Sequence, residues 1–261
     1  MKPAGGTPGA IPRSSMGVRG SIAVLGATSG IARAAMEAWM SAGREVILMG
    51  RSLPALEALA RDLEVAAGRR PPVFAWDIAD MSGHGGRFAE LAAAHDLGGL
   101  FLAAGVMFPQ DEGERDAAKT VETFTVNLTG PAVVLNLFAA HFKAKGGGFL
   151  CCLSSVAGDR GRASNFIYGA SKAGLSAYLE GLRGSLHGTG VKVVTVKPGP
   201  IRTRMTAGMG GLLVASPRTA GRDIVRAVER GRDVVYTPSY WRLIMWVICA
   251  IPPSLFKRLK L

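Results

Sequence analysis

The chain has 261 residues, 48% of them apolar, which is ample for the core of one large α/β domain or two small ones. Its 31 Lys and Arg against 19 Asp and Glu give a formal charge of +12, a balance that attracts phosphates, nucleic acid or anionic membrane. With no helix-turn-helix, zinc-finger or RNA-recognition signature, nucleic acid is the least supported of these partners; the four histidines and three cysteines form no ligand cluster, so a metal site has no support.

Residues 1–19 are rich in Gly, Pro and Ser, lack an apolar core of signal-peptide length, and read as a disordered leader, with Met16 a candidate translation start. From Ser21 onward, short apolar runs at 22–25, 45–49, 73–76, 100–103, 149–153 and 191–196 predict strands. Helical patterns separate them at 31–42, 53–67, 83–95, 117–143, 165–187 and 219–231. Continuous apolar strands alternating with helices predict a parallel sheet covered on both faces: an α/β, doubly wound Rossmann-type domain over residues 20–238. Cys151 and Cys152 are neighbours on one such strand, so they point to opposite faces and do not bridge. Reduced thiols and the lack of a secretory leader give the expectation of a cytoplasmic protein.

The first strand runs into Gly26-Ala27-Thr28-Ser29-Gly30-Ile31-Ala32, which opens a helix. Glycines there allow a tight turn and a close backbone approach to a pyrophosphate, whose charge meets the helix N-terminus. Gly26, Thr28, Ser29, Gly30 and Ile31 are therefore candidate cofactor-binding residues. After the second strand, Met49-Gly50-Arg51-Ser52 has an arginine and no carboxylate, which suits a ribose 2′-phosphate and predicts NADP(H) over NAD(H); an ordinary arginine at a helix start is the alternative. Asp77 and Ile78, ending the third strand, are positioned either for an adenine edge or as a plain strand end.

Tyr168-Gly169-Ala170-Ser171-Lys172 puts a phenol and an ammonium on one helix face, and Ser155 lies thirteen residues before the tyrosine. A phenol with a pKa near ~10 is a weak acid-base catalyst at neutral pH, and a neighbouring lysine is expected to draw that pKa down. Taken alone, such a pair is as often a surface tyrosine beside a solvated lysine. The company it keeps here overturns that.

With the glycine turn, Asn127-Leu128-Thr129-Gly130, Ser154-Ser155-Val156-Ala157-Gly158, Tyr168-xxx-Lys172 and Pro198-Gly199-xxx-Thr203 in order, the chain resembles the short-chain dehydrogenase/reductases from about Ser21 to Thr203. The resemblance implies that Tyr168 protonates a carbonyl oxygen as hydride leaves a nicotinamide. It makes Lys172 the residue that tunes the phenol and binds the nicotinamide ribose, and gives Ser155 rather than Ser154 the substrate oxygen. Asn127, expected within a long helix, would hold a water beside the lysine, or simply pack. Pro198, Gly199, Ile201 and Thr203 would hold the carboxamide end of the cofactor, and Gly105 would let the backbone approach it. Two positions depart from the family pattern: Leu102-Ala103-Ala104-Gly105 replaces Asn-Asn-Ala-Gly, and Ala32 replaces a glycine. A homo-oligomer is expected from the resemblance alone.

Residues 239–261 differ sharply from what precedes them, with Trp241, Trp246 and Tyr240 near Arg242, Lys257, Arg258 and Lys260 and no acidic residue after Asp233. The apolar run 243–251 has nine residues, too few to span a bilayer, which takes roughly 20. An amphipathic helix on an anionic membrane surface, the inner face of the cell membrane, is the expectation, with a dimer-forming or core-covering helix as the alternative. A lipid or lipid-linked ketone is then the expected substrate. The glycine turn, Ser154 to Arg162 and the Trp-rich tail are similar to those of bacterial decaprenyl-phosphoryl 2-keto-pentose reductases, which act after a flavin oxidase has made the ketone and would make such an oxidase a partner. A 3-keto lipid reductase and a non-catalytic NADPH sensor are the alternatives. Asp159, Arg160 and Arg162 either meet a sugar or phosphate or form a solvated loop.

Overall fold

Strands β1 (Ser21–Leu25), β4 (Leu97–Leu102) and β5 (Gly148–Leu153) are buried at every position, as strands must be when helices cover both faces of a parallel sheet. The computed structural model describes residues 19–207 and 213–259. The leader up to residue 18, Met16 and Lys260 fall outside the described residues. With β2 (Val46–Gly50), β3 (Val73–Ala75), β6 (Val191–Pro198) and β7 (Val234–Thr237), the strands form a seven-stranded sheet in the order β3-β2-β1-β4-β5-β6-β7. Every neighbouring pair is parallel. The order reverses between β1 and β4, which opens a crevice at the carboxyl ends of the strands.

Each face has its own core. Helices α1 (Gly30–Ser41), α2 (Leu53–Ala67) and α8 (Pro217–Glu229) cover one face through Met36, Leu56, Leu59, Ile224 and Val225. The other face is covered by α3 (His84–Ala94), α6 (Gly130–Lys145) and α7 (Phe166–Ser185), through Leu91, Phe138, Leu175 and Leu179. Side-chain alternation along β5 sends Cys151 to the first core and Cys152 to the second, and both thiols are free. Ala32 is fully buried in the first core.

Four expectations need correction. β4 begins three residues earlier than the apolar run, because Gly98 and Gly99 belong to the strand; a Cβ on Gly99 would collide with the Phe149 ring that lies across it. β7 follows a charged stretch and is only four residues long, too short a run to stand out. A short helix, α4 (Gln110–Arg115), precedes the long helical stretch. The single helix expected over 117–143 is α5 (Ala117–Phe124), a π turn (Thr125–Thr129) and α6, the turn widening just before Pro131. The stretch Ala117–Lys145 is long and apolar enough to cross a membrane, but half of its most apolar window is buried in the protein, as for a core helix.

After β7 the chain forms α9 (Trp241–Ala250) and α10 (Pro253–Phe256). One side of α9, Trp241 and Met245, is buried against Val156 in a third small core, with Tyr236, Ile244 and Ile248 around it.

Candidate active site

A cavity of about 720 Å³ opens at the switch point, lined by the ends of β1, β2, β4, β5 and β6 and the segments that follow them. The glycine turn supplies one end. Gly26 has φ +87, which only glycine adopts without strain, and a Cβ there would meet the backbone of Ala103 and Ala104. Thr28, Ser29, Gly30 and Ile31 continue along this wall into the N-terminus of α1. No side chain caps that terminus, so its N–H groups are available to a pyrophosphate. Arg51, Asp77 and Ile78 follow along the same wall, and the side chain of Arg51 makes no hydrogen bond or ion pair with any described residue. Asp77 Oδ1 accepts from Ala79 N at 2.9 Å, so part of its carboxylate is committed to its own turn. These features fit a dinucleotide, extended from Arg51 to the Pro198–Thr203 segment.

The chemistry sits at the other end. Ser155 follows β5 and caps a single turn of 3₁₀ helix, its Oγ accepting from Ala157 N at 3.0 Å, which leaves the hydroxyl proton for a ligand. Ser154 is instead occupied inward, with Lys172 O at 3.0 Å and Ser176 Oγ at 2.7 Å. The 3₁₀ turn lies directly on α7 because glycines meet there. A Cβ on Gly158 would come within 2.7 Å of the Lys172 carbonyl carbon, and one on Gly169 within 2.9 Å of Ala157 O. This contact brings Ser155 to Tyr168 and Lys172.

Lys172 is 3% exposed, and its Nζ donates to Leu153 O at 3.0 Å and lies 5.8 Å from the Tyr168 ring centre. Burial lowers the Lys172 pKa to about 8. Burial also raises the Tyr168 phenol above its ordinary value, with the facing Ser155 hydroxyl acting the other way. The expectation that lysine draws the phenol down is therefore corrected: desolvation sets the direction, and the facing Ser155 hydroxyl is what opposes it.

Asn127 is also corrected. It lies in the π turn beneath the cavity rather than on a regular helix, is fully buried and does not line the cavity. Its Nδ2 donates to Val106 O at 2.9 Å and Ser171 Oγ at 3.1 Å, and its Oδ1 accepts from Val106 N at 2.9 Å. It thus anchors the segment after β4, where the family's asparagine pair is missing, and an ideal Cβ on Gly105 would sit 3.2 Å from its Oδ1 and 3.5 Å from Lys172 Nζ. Gly105, Pro198, Gly199, Ile201 and Thr203 line the cavity with Ser155, Tyr168, Lys172 and the other expected cofactor-binding residues.

Of the three charged residues behind Ser155, only Arg162 reaches the cavity. Asp159 accepts from Lys197 Nζ at 2.5 Å and Tyr236 OH at 2.9 Å. Arg160 donates to Cys249 O at 2.8 Å and Ile251 O at 2.9 Å, the free carbonyls ending α9, and stacks over Phe256 at 4.3 Å. Trp241, expected at a lipid boundary, is 7% exposed and lines the cavity with its indole N–H against Gly199. No motif announces it, because it comes from the tail and reaches the site only through the docking of α9.

A phosphate-cradling turn at the switch point of a doubly wound sheet, facing a Ser, Tyr and Lys set, defines a nucleotide-dependent oxidoreductase. The profile of the short chain dehydrogenase family matches residues 21–210, and the chain belongs to that family of NAD(P)-dependent enzymes. It is 34% identical to an uncharacterized oxidoreductase of Streptomyces coelicolor, over 95% of this chain and 99% of that one. It is 33% identical to a serine 3-dehydrogenase of Agrobacterium fabrum, over 72% of this chain and 74% of that protein. Among solved structures, a short chain dehydrogenase from Burkholderia cenocepacia in complex with NADP is 25% identical and superposes with a TM-score of 0.78, covering 92% of this chain and 96% of that one.

Proposed function

We propose that the protein uses NADPH to reduce the ketone of a lipid-borne substrate to a secondary alcohol at an anionic membrane surface. The observation that carries this reading is the single cavity in which Ser155, Tyr168 and Lys172 face the glycine turn and Arg51. The nicotinamide cofactor supplies the hydride when bound. Ser155 donates a hydrogen bond to the substrate oxygen, and Tyr168 gives up its phenolic proton to that oxygen as negative charge develops there. The raised pKa keeps the phenol protonated at neutral pH, the form that reduction needs. Lys172 would hold the ribose hydroxyls of the bound cofactor and would return a proton to the tyrosine.

Arg51, uncommitted and without a nearby carboxylate on its turn, is the reason for NADPH over NADH. Arg51→Ala is expected to raise KM for NADPH about 10- to 100-fold, the loss of one charge-assisted phosphate contact, while the value for NADH changes little. A wild type that uses NADH as well as NADPH would refute the cofactor preference.

The membrane reading rests on the outer side of α9 and α10. Leu243 is 66% exposed, Trp246 71% and Leu255 55%, with Arg242, Lys257 and Arg258 exposed around them. Such an apolar patch ringed by cations suits an anionic lipid surface. Flotation with anionic liposomes should show binding that the double substitution Leu243→Ser, Trp246→Ser abolishes; unchanged partition sinks the anchor. Truncation of the tail is the poorer test, since it also removes Trp241 from the cavity. A polyprenyl-phosphoryl 2-keto-pentose is the finer substrate proposal and a 3-keto lipid the alternative, compared directly by NADPH consumption with each.

A further inference from the structure

Three side chains that line the cavity each carry a buried atom with no hydrogen-bond partner among the described residues: Arg162 Nε, Trp241 Nε1 and Asn165 Oδ1. Buried polar atoms are almost always paired in folded proteins, so three around one cavity ask for an occupant. Arg162 carries a full charge yet forms no ion pair among the described residues. Its Nη2 meets only the Met245 sulfur, a weak acceptor, at 3.5 Å, and burial already disfavours its charged form. The neighbouring carboxylate, Asp159, is held by Lys197 and Tyr236. Trp241 is a pure donor. Asn165 stands at the N-cap of α7, where asparagine ordinarily accepts from the first helical N–H groups, but its side chain makes no such bond.

Two donors, one of them a half-buried cation, call for an anionic acceptor. We infer that Arg162 and Trp241 form a subsite for an oxyanion of the substrate, a phosphate or a carboxylate, with Asn165 accepting a hydrogen bond from a substrate hydroxyl. The carbonyl to be reduced then lies toward Ser155 and Tyr168 while the acidic group lies under α9. This rests on the ketone-reductase reading and narrows it to ketones that carry an oxyanion.

The test uses the full chain saturated with NADP⁺, so that added anions cannot enter the cofactor's own phosphate sites. Calorimetric titration with inorganic phosphate and with acetoacetate should show binding that weakens about 10- to 100-fold in Arg162→Gln and several-fold in Trp241→Phe, which keeps the ring and loses the indole N–H. Turnover of matched pairs, dihydroxyacetone phosphate against dihydroxyacetone and acetoacetate against its methyl ester, should favour the charged member in the wild type. That preference should collapse toward one in Arg162→Gln, through KM rather than kcat. The pair with the larger preference tells a phosphate from a carboxylate. If Arg162→Gln does not fold, Trp241→Phe carries the test. Bound NADP⁺ with no oxyanion binding by the wild type, or equal affinities in all three proteins, overturns the subsite alone; failure to bind NADP⁺ overturns the reductase reading instead.

Discussion

Tyr168→Phe lowers kcat/KM for ketone reduction by about 10²- to 10⁴-fold, the range that a positioned general acid supplies, and leaves NADPH affinity nearly intact. Phenylalanine fills the same space beside Ser155 and Lys172, so the loss isolates proton delivery from packing. The pH dependence carries a sign. Burial holds the phenol above its ordinary value, so it stays protonated through the neutral range and reduction needs no prior ionisation. The reverse reaction starts from the phenolate, and oxidation of the alcohol is expected to accelerate with rising pH. Steady-state rates in both directions from pH 6 to 10 check this. Cellular function left intact by Tyr168→Phe would leave a nucleotide-binding sensor as the better account of the chain.

Lys172→Met is expected to abolish turnover to a similar degree and yet make the protein more stable at pH 7, by about 1–2 kcal/mol. The ammonium is 3% exposed and its pKa falls from 10.5 to about 8. Below about pH 8 it is charged in both folded and unfolded chains, and its burial costs stability. Between about 8 and 10.5 the folded state releases the proton first, so wild-type stability rises with pH. Methionine removes this cost, offset in part by the lost hydrogen bond to Leu153 O. The gain should therefore be largest at pH 7 and shrink by pH 10. Urea denaturation at both values measures it; a loss of stability at pH 7, or an equal gain at both, defeats the argument.

The sheet was legible because parallel strands buried on both faces must be written as mostly apolar runs, unbroken at 149–153 and interrupted at 191–196 by the exposed Lys192 and by Thr195. Where glycine enters a strand, its reason is a close approach, of the Arg19–Gly20 backbone at Gly98 and of the Phe149 ring at Gly99, which only tertiary structure shows. The π turn at Asn127 was hidden for a related cause: five residues of helix-forming sequence look the same whether they wind at 3.6 residues per turn or slightly wider. Motif spacing located the cofactor wall and the Ser155, Tyr168 and Lys172 set, since those residues are brought together by short, regular segments. It gave no sign that Arg160 and Arg162 part company, one clasping α9 and the other turning to the cavity, because two residues of an irregular loop have no fixed facing. Nor could it separate Trp241 from Trp246: helical periodicity distinguishes faces, but only the docked helix says which face is inward.

The Arg160 clasp grips main-chain carbonyls of Cys249 and Ile251, groups that any residues at those positions would offer. Of its contacts, only the stacking on Phe256 reads a side chain. This clasp is thus blind to the residue types at 249 and 251, whereas Trp241 and Met245 hold α9 through their own side chains. Trp241 and Met245 lie beyond the residues that the family profile matches. Proton delivery and the part of the wall that Trp241 supplies are accordingly carried by different stretches of the chain, joined in part by main-chain contacts that tolerate exchange. Such an arrangement lets one side of the pocket drift or be recombined while the reaction itself is inherited unchanged.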